Sequence, residues 1–218
     1  MKKLAVYALC GTLLLLVGTG CDLFGDGKTD YYPMTVGSNW CFESSLTFEQ
    51  LDADTFSTSS THTVVARTVN LTSGEEVAEF VTTDTTHNRL PAETTLVNVD
   101  SSYIRQTDNY VFSYESLDDA DPDTALALPL EENKTWTISS RGDTVTTATV
   151  VGKETITTPA GEFKDCWKVE TMTAVGSETI TMYWWYADGV GRVRNWFEET
   201  QQSIKTTLEA LLTGYEIK

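Results

Sequence analysis

"ETITMYWWY", residues 178–186, sets Ile180, Met182, Trp184 and Tyr186 on one side of an extended chain and Thr179, Thr181, Tyr183 and Trp185 on the other. A period of two sustained over this length marks a strand with one face turned to a core. The same pattern runs through "EFKDCWKVE", residues 162–170, where Phe163, Trp167 and Val169 oppose Cys166, Lys168 and Glu170. Turn signals fall between such runs, in "NLTSGEE" at 70–76, "TPAGEF" at 158–163, "AVGSE" at 174–178 and "ADGVG" at 187–191. The chain holds 36 threonines, a residue whose branched Cβ favours pleated, half-buried surfaces, so the body reads as β throughout. "SIKTTLEALLTGYEIK", residues 203–218, fits either a helical stripe through Ile204, Leu208, Leu211 and Leu212 or a strand through Ile204, Thr206, Leu208, Ala210 and Leu212. The β-branched pair Thr206–Thr207 and the continued alternation through Tyr215 and Ile217 favour the strand. Strands joined by turns this short predict an all-β antiparallel meander, with "SLDDADPDT" at 116–124 as a loop.

An internal echo runs through the chain. "YPMTVGSNWCF" at 32–42 and "LPLEENKTWTI" at 128–138 share Pro, an apolar residue, Gly or Asn, then Trp, at a constant offset of 96. Gly37 and Asn133 are the residue types that most readily take positive φ, so each predicts a sharp turn before a strand bearing Trp40 or Trp136. "TVVARTVNLTSGEEVAEF" from Thr63 weakly matches "TVVGKETITTPAGEFKDCW" from Thr149. Two similar halves, 31–127 and 128–218, account for this, and so does chance similarity of turn-then-strand segments.

The N-terminus reads as a targeting segment. Lys2 and Lys3 precede an apolar run from Leu4 to Val17, too short for a comfortable membrane-spanning helix of about 20 residues. Gly18, Thr19 and Gly20 then lead to Cys21, and three small residues before a cysteine resemble the lipobox of bacterial lipoproteins. That resemblance implies cleavage after residue 20 and acylation of Cys21, although Gly18 stands where the family prefers Leu. An ordinary cleaved signal with a free Cys21 is the alternative. The expected organisation is a removed signal over 1–20, a lipidated tether over 21–30 with two glycines, and a β domain over 31–218. Two or more acyl chains hold stably to a membrane where one binds marginally. Inner or outer membrane stays open. Asp22 resembles the inner-membrane retention signal of enteric bacteria, a rule that other groups do not follow.

Removal of Lys2 and Lys3, with no acid leaving, takes the formal charge from −17 to −19. Such a surface repels phosphate backbones, which argues against nucleic-acid partners, and repels anionic headgroups, which leaves the lipid as the membrane contact. Cys41 and Cys166 lie in an exported compartment that permits disulfides. They bond if both point outward on adjacent strands, and are otherwise two unpaired thiols.

Chemistry-bearing patterns are sparse. His62 and His87 stand apart in Thr-rich runs, with no zinc spacing, nucleophile elbow or phosphate loop in the chain. Asp119, Asp121 and Asp123 have the alternating spacing of a calcium loop, but Thr124 replaces its Gly and Leu130 its Glu. A plain acidic loop is the competing reading.

"YYPMTVGSNW" (31–40), "TTPAGEFKDCWKV" (157–169) and "YWWYADGVGRVR" (183–194) together resemble a widespread group of bacterial lipoproteins, over nearly all of the mature chain. The resemblance implies a single, strongly curved antiparallel sheet, a half-barrel or open barrel similar to lipoprotein carriers, and brings no activity with it. On this footing the sequence predicts a non-enzymatic, lipid-anchored binding or structural module of the cell envelope, without cofactor. Its partner would be an apolar ligand, held against Ile180, Met182 and Trp184, or another envelope protein. The alternatives are that the same residues fill the core, an exported carboxylate-dependent hydrolase, and a surface adhesin or assembly subunit anchored through Tyr183 and Trp185.

Overall fold

A computed structural model describes residues 29–49, 55–89, 93–201 and 204–218, and the expected signal segment and Cys21 lie outside them. Twelve strands form one antiparallel sheet: β1 Asn39–Phe48, β2 Thr55–Asn70, β3 Glu76–Asn88, β4 Thr94–Gln106, β5 Tyr110–Tyr114, β6 Asp123–Ala127, β7 Thr135–Arg141, β8 Thr144–Thr158, β9 Gly161–Val175, β10 Glu178–Ala187, β11 Gly191–Gln201 and β12 Ile204–Glu216. The order is β6-β5-β4-β3-β2-β1-β12-β11-β10-β9-β8-β7, two six-strand meanders joined where β1 pairs with β12. No helix occurs among the described residues. The ambiguous C-terminal run is a strand, and the loop expected at 116–124 gives its last two residues to β6.

Right-handed twist accumulated over so many strands brings the two edges, β6 and β7, together. The sheet nearly closes into a barrel, with this one seam unsealed. Side chains bridge it. The Trp136 indole N–H donates to the Thr124 carbonyl at 3.0 Å, and Arg141 donates to the Asp121 carbonyl at 3.0 Å and pairs with Asp123 at 2.9 Å. Pro122 and Pro129 flank β6 and supply no N–H, which keeps a ladder from growing there.

The two turns of the echo are built alike. Gly37 has φ 91° and Asn133 φ 65°. The Gly37 N–H donates to Val65 O, Val65 N to Ser38 O and Ser38 N to Thr35 O. In the second meander Asn133 donates to Val150 O, Val150 to Lys134 O and Lys134 to Glu131 O. Val65 and Val150, both fully buried, therefore hold one structural post. The weak sequence match, which begins at Thr63 and Thr149, is out by one residue, since the hydrogen bonds set Val65 against Val150. A β-bulge follows each valine, at Val65/Arg67 and Val150/Gly152. Bulges bend and over-twist the strand that carries them, so the outer half of each long hairpin leans across the back of its own sheet. The β2–β3 tip covers Tyr114 with Leu71 and Val77, and the β8–β9 tip reaches across to β12, where Ala160 N donates to Leu212 O at 3.1 Å.

Bulging also corrects one expectation. Asp165 sits at φ 54°, and the register between β8 and β9 shifts beside it. Phe163 consequently shares the side of buried Cys166, while Trp167 and Val169, paired with Tyr186 and Trp184, stay together on the opposite, concave side as expected, Trp167 under the Lys153 ammonium. Cys41 and Cys166 are both free thiols. Three strands separate β1 from β9 in the sheet, and Cys166 is 0 % exposed while Cys41 points away from buried Trp40 and Phe42, so the condition of adjacent outward positions fails.

Candidate functional site

Directly paired residues of antiparallel strands share a face. From Trp40 the ladder leads to Thr63, from Val65 to Phe80 and then Ser102, and from Ser44 to Ala210, Asn195 and Trp184. A cavity of about 210 Å³ is lined on this face by β1, β2, β3 and β4 from one side and by β10 and β11 from the other. Since β4 and β10 stand six places apart in the sheet order, this is the concave face.

The wall is divided by chemistry. On β2 to β4 it carries hydroxyls: Thr63 and Thr82 are hydrogen-bonded at 3.0 Å, Thr61 donates to Asp84, and Ser102 lies beyond. On β10 to β12 it carries Met182, Trp184, Phe197 and Leu208 in continuous register. Ile180, Met182 and Trp184 are thus all concave, as one apolar stripe, and burial falls along it. Trp184 and Met182 are half-buried, and Ile180 is 41 % exposed. The Trp184 indole donates to Thr171 Oγ1 at 3.0 Å.

One end of the concavity is closed by the segment before β1. Gly189 N donates to Asp30 O at 2.8 Å, Asp30 N to Asp188 Oδ1 at 2.7 Å, and the Trp40 indole to Val190 O at 2.7 Å. Gly191, at φ 92°, packs so closely that a Cβ would meet Pro33 Cδ at 3.4 Å and Tyr31 O at 3.6 Å. The Trp167 indole completes the junction by donating to the Tyr31 hydroxyl at 3.1 Å. Three sequence stretches distant along the chain, around Tyr31–Trp40, Trp167 and Asp188–Gly191, therefore meet at one spot. Burial pushes the Asp30 carboxyl up, against the hydrogen bond from Tyr32 N and with Asp188 adding to the rise.

Inside this end, the Arg192 guanidinium lies over the Phe42 ring at 4.6 Å and the Trp184 ring at 5.3 Å. Tyr32, edge-on to Phe80 at 5.7 Å, and Tyr186 line the same cavity. Burial raises both phenols above the usual range, and Arg192 opposes the rise. Neither Arg192 nor Tyr32 stands out in the sequence. Arg192 and Arg194 alternate with Gly191 and Val193 at the start of β11, which would set both cations on one face, and a register shift at Trp185/Tyr186 decides which way each points.

The remaining candidates lie elsewhere. Trp185 is 3 % exposed on the convex side, between Lys168 and Arg194, with its indole donating to Glu154 Oε2 at 2.9 Å. It is no exposed anchor, because the β8–β9 hairpin covers it; Tyr183 beside it is half-buried. Burial raises the Glu154 carboxyl, and the bonds from Trp185 and Lys168 outweigh that and hold it low. Asp119 accepts from Glu115 N and Asp121 N, and Asp123 pairs with Arg141, so these carboxylates serve the loop and seam; no group of three metal-binding side chains occurs among the described residues. His62 and His87 are exposed on the convex side.

Residues 76–203 match the family model described as DUF3108-like. A crystal structure from Bacteroides fragilis, of a protein assigned as exported with a YmcC-like fold, is 17% identical with a TM-score of 0.49, covering 87% of this chain and 100% of that one. A protein from Parabacteroides distasonis assigned as a lipoprotein is 19% identical with a TM-score of 0.46, covering 86% and 99%. A search of curated proteins finds no match.

Proposed function

The chain belongs to the DUF3108-like family, and from that premise we propose that it is a lipid-anchored, non-enzymatic binding module of the bacterial cell envelope, tethered at Cys21, whose concave face takes an apolar ligand. One observation carries the reading. The stripe Ile180–Met182–Trp184 faces the concavity, and instead of vanishing into a packed core it becomes progressively more exposed away from the closed end. No helix among the described residues covers it. An apolar stripe on a concave wall, opposed by hydroxyls, is the form of a small-ligand site. The lipobox-like residues before Cys21 support the tether. Two acyl chains or more would hold the module at a membrane while its acidic body stays in solution.

The test has two arms. Clickable palmitate fed to cells should label the protein, and Cys21→Ala should abolish the label and release the chain; a mutant that remains membrane-bound overturns the anchor. A fluorescent apolar probe such as an anilinonaphthalene should bind the purified protein, and Met182→Asp should weaken it about tenfold or more without lowering the unfolding midpoint. Equal binding by both proteins overturns the concave site.

A further inference from the structure

We propose that the closed end of the concave face is an anion-recognition site, in which Arg192 with the hydroxyls of Tyr32 and Tyr186 takes the anionic head of an amphiphile whose apolar body runs along Trp184 and Met182. This rests on the binding role above and names the ligand class. The chain carries 32 acidic and 15 basic residues, so a basic side chain finds a carboxylate readily. Arg67, Arg105, Arg141 and Arg194 each do. Arg192 has no carboxylate partner among the described residues, and its guanidinium is held instead by the faces of Phe42 and Trp184. Ring faces satisfy the cation's charge in part but accept none of its five N–H bonds in plane, so the donor edge stays available to a carboxylate or phosphate. Tyr32 and Tyr186 line the same cavity, and no protein group among the described residues is hydrogen-bonded to either hydroxyl. Burial keeps both phenols protonated and therefore donors. Three donors without an acceptor at the end of an apolar stripe call for an oxyanion attached to hydrocarbon.

Position supplies the rest. Tyr186 pairs directly with Arg192 across β10 and β11, and Trp184 and Met182 follow on the same face of β10. Head and body sites are thus consecutive along one strand, and the Arg192 guanidinium over Trp184 is their boundary. A neutral hydrocarbon would leave the donors unanswered, at a cost that selects against it.

Calorimetric titration of the full chain carrying Cys21→Ala, which removes the protein's own acyl group, tests this with four probes of matched length: dodecanoate, dodecyl phosphate, neutral monododecanoyl glycerol, and inorganic phosphate without a chain. One or both anionic amphiphiles should bind at least about tenfold more tightly than the neutral ester, and which of them binds more tightly identifies the head as carboxylate or phosphate. Arg192→Gln should erase that advantage while leaving the neutral ester's affinity unchanged, an effect of about 10- to 100-fold for a lost charge-assisted pair. Arg192→Lys should restore part of it. Tyr32→Phe, which keeps the ring and its contact with Phe80, should cost the anions a few-fold and so stands in if the arginine variants unfold. Equal affinity for anionic and neutral chains, unaffected by Arg192→Gln, overturns the anion site and leaves the apolar site standing. Inorganic phosphate bound as tightly as dodecyl phosphate overturns the amphiphile. Failure of all four probes overturns both the site and the binding role.

Discussion

Gly37 and Asn133 occupy equivalent turns at φ 91° and 65°, and the side chain each carries sets what substitution does there. Alanine at 37 adds a Cβ that resists positive φ; the nearest atom it meets is the flexible Lys218 side chain at 3.4 Å, so the strain is in the backbone and not in packing. Gly37→Ala should lower stability by about 1 kcal/mol or more in urea unfolding, while Asn133→Gly should be neutral or slightly stabilising. A neutral Gly37→Ala would mean that the turn relaxes to negative φ. Cys166 offers a second test. Burial pushes its thiol from 9.0 up to about 11, with Asp165 adding to the rise. The folded state therefore holds this proton to higher pH than the unfolded chain. The stability it contributes is complete below pH 9 and is lost as pH rises toward 11. Cys166→Val should flatten that alkaline loss. In the native protein at pH 8 a thiol reagent should modify Cys41 and spare Cys166; rapid labelling of both would contradict the burial. These residue-level features differ in how legible they are. The positive φ at both turns is readable from the residue types, whereas the burial of Cys166 depends on the bulge at Asp165, which no alternation pattern announces.

Alternation identifies strands well because it records only which side of a strand meets the core. It cannot register where a bulge shifts the count by one, and the long hairpins here carry several. The β10 stripe through Ile180, Met182 and Trp184 is therefore readable in advance, while Trp185, expected on an exposed face, is buried by a hairpin whose bend originates at Gly152. Element length matters too. β5 pairs with β4 from Tyr103 to Gln106, and among the described residues Thr94 to Ser102 has no partner on that side. Leu96, Val97 and Val99 are exposed along this free edge, Val97 at 65 %. An unpaired, apolar edge is a template for strand addition. Val97→Lys should leave the unfolding midpoint within about 0.5 kcal/mol, as for an ordinary surface change, and slow self-association seen by light scattering at high concentration. Unchanged association would show that the edge is already protected.

At the scale of the whole molecule, the two meanders meet twice, and the two meetings are not alike. On one side β1 and β12 share a ladder from Asn39↔Glu216 to Phe48↔Thr206. On the other, no ladder joins β6 to β7 among the described residues, and the side chains of Trp136 and Arg141 reach Thr124 O and the Asp121–Asp123 stretch across the seam. If the second meander repeats the first, β6 corresponds to β12 and β7 to β1, so the seam is the place where a second ladder would complete the ring. It fails because β6 spans only Asp123–Ala127 whereas β12 spans Ile204–Glu216. Local opening should therefore begin there, since regions held by few hydrogen bonds open at a free energy below the global value. Trp136→Phe keeps an aromatic ring but removes the bond to Thr124 O, a loss of about 0.5–1.5 kcal/mol. Amide exchange followed by mass spectrometry should then speed up by roughly 2- to 10-fold in β6 and β7, with β1 and β12 unchanged, because a local opening does not pass through the intact ladder. If β1 and β12 accelerate equally, the barrel opens as one unit and the seam is not its weak point. If nothing accelerates, the indole bond does not hold the seam, and the ion pair between Arg141 and Asp123 must carry it.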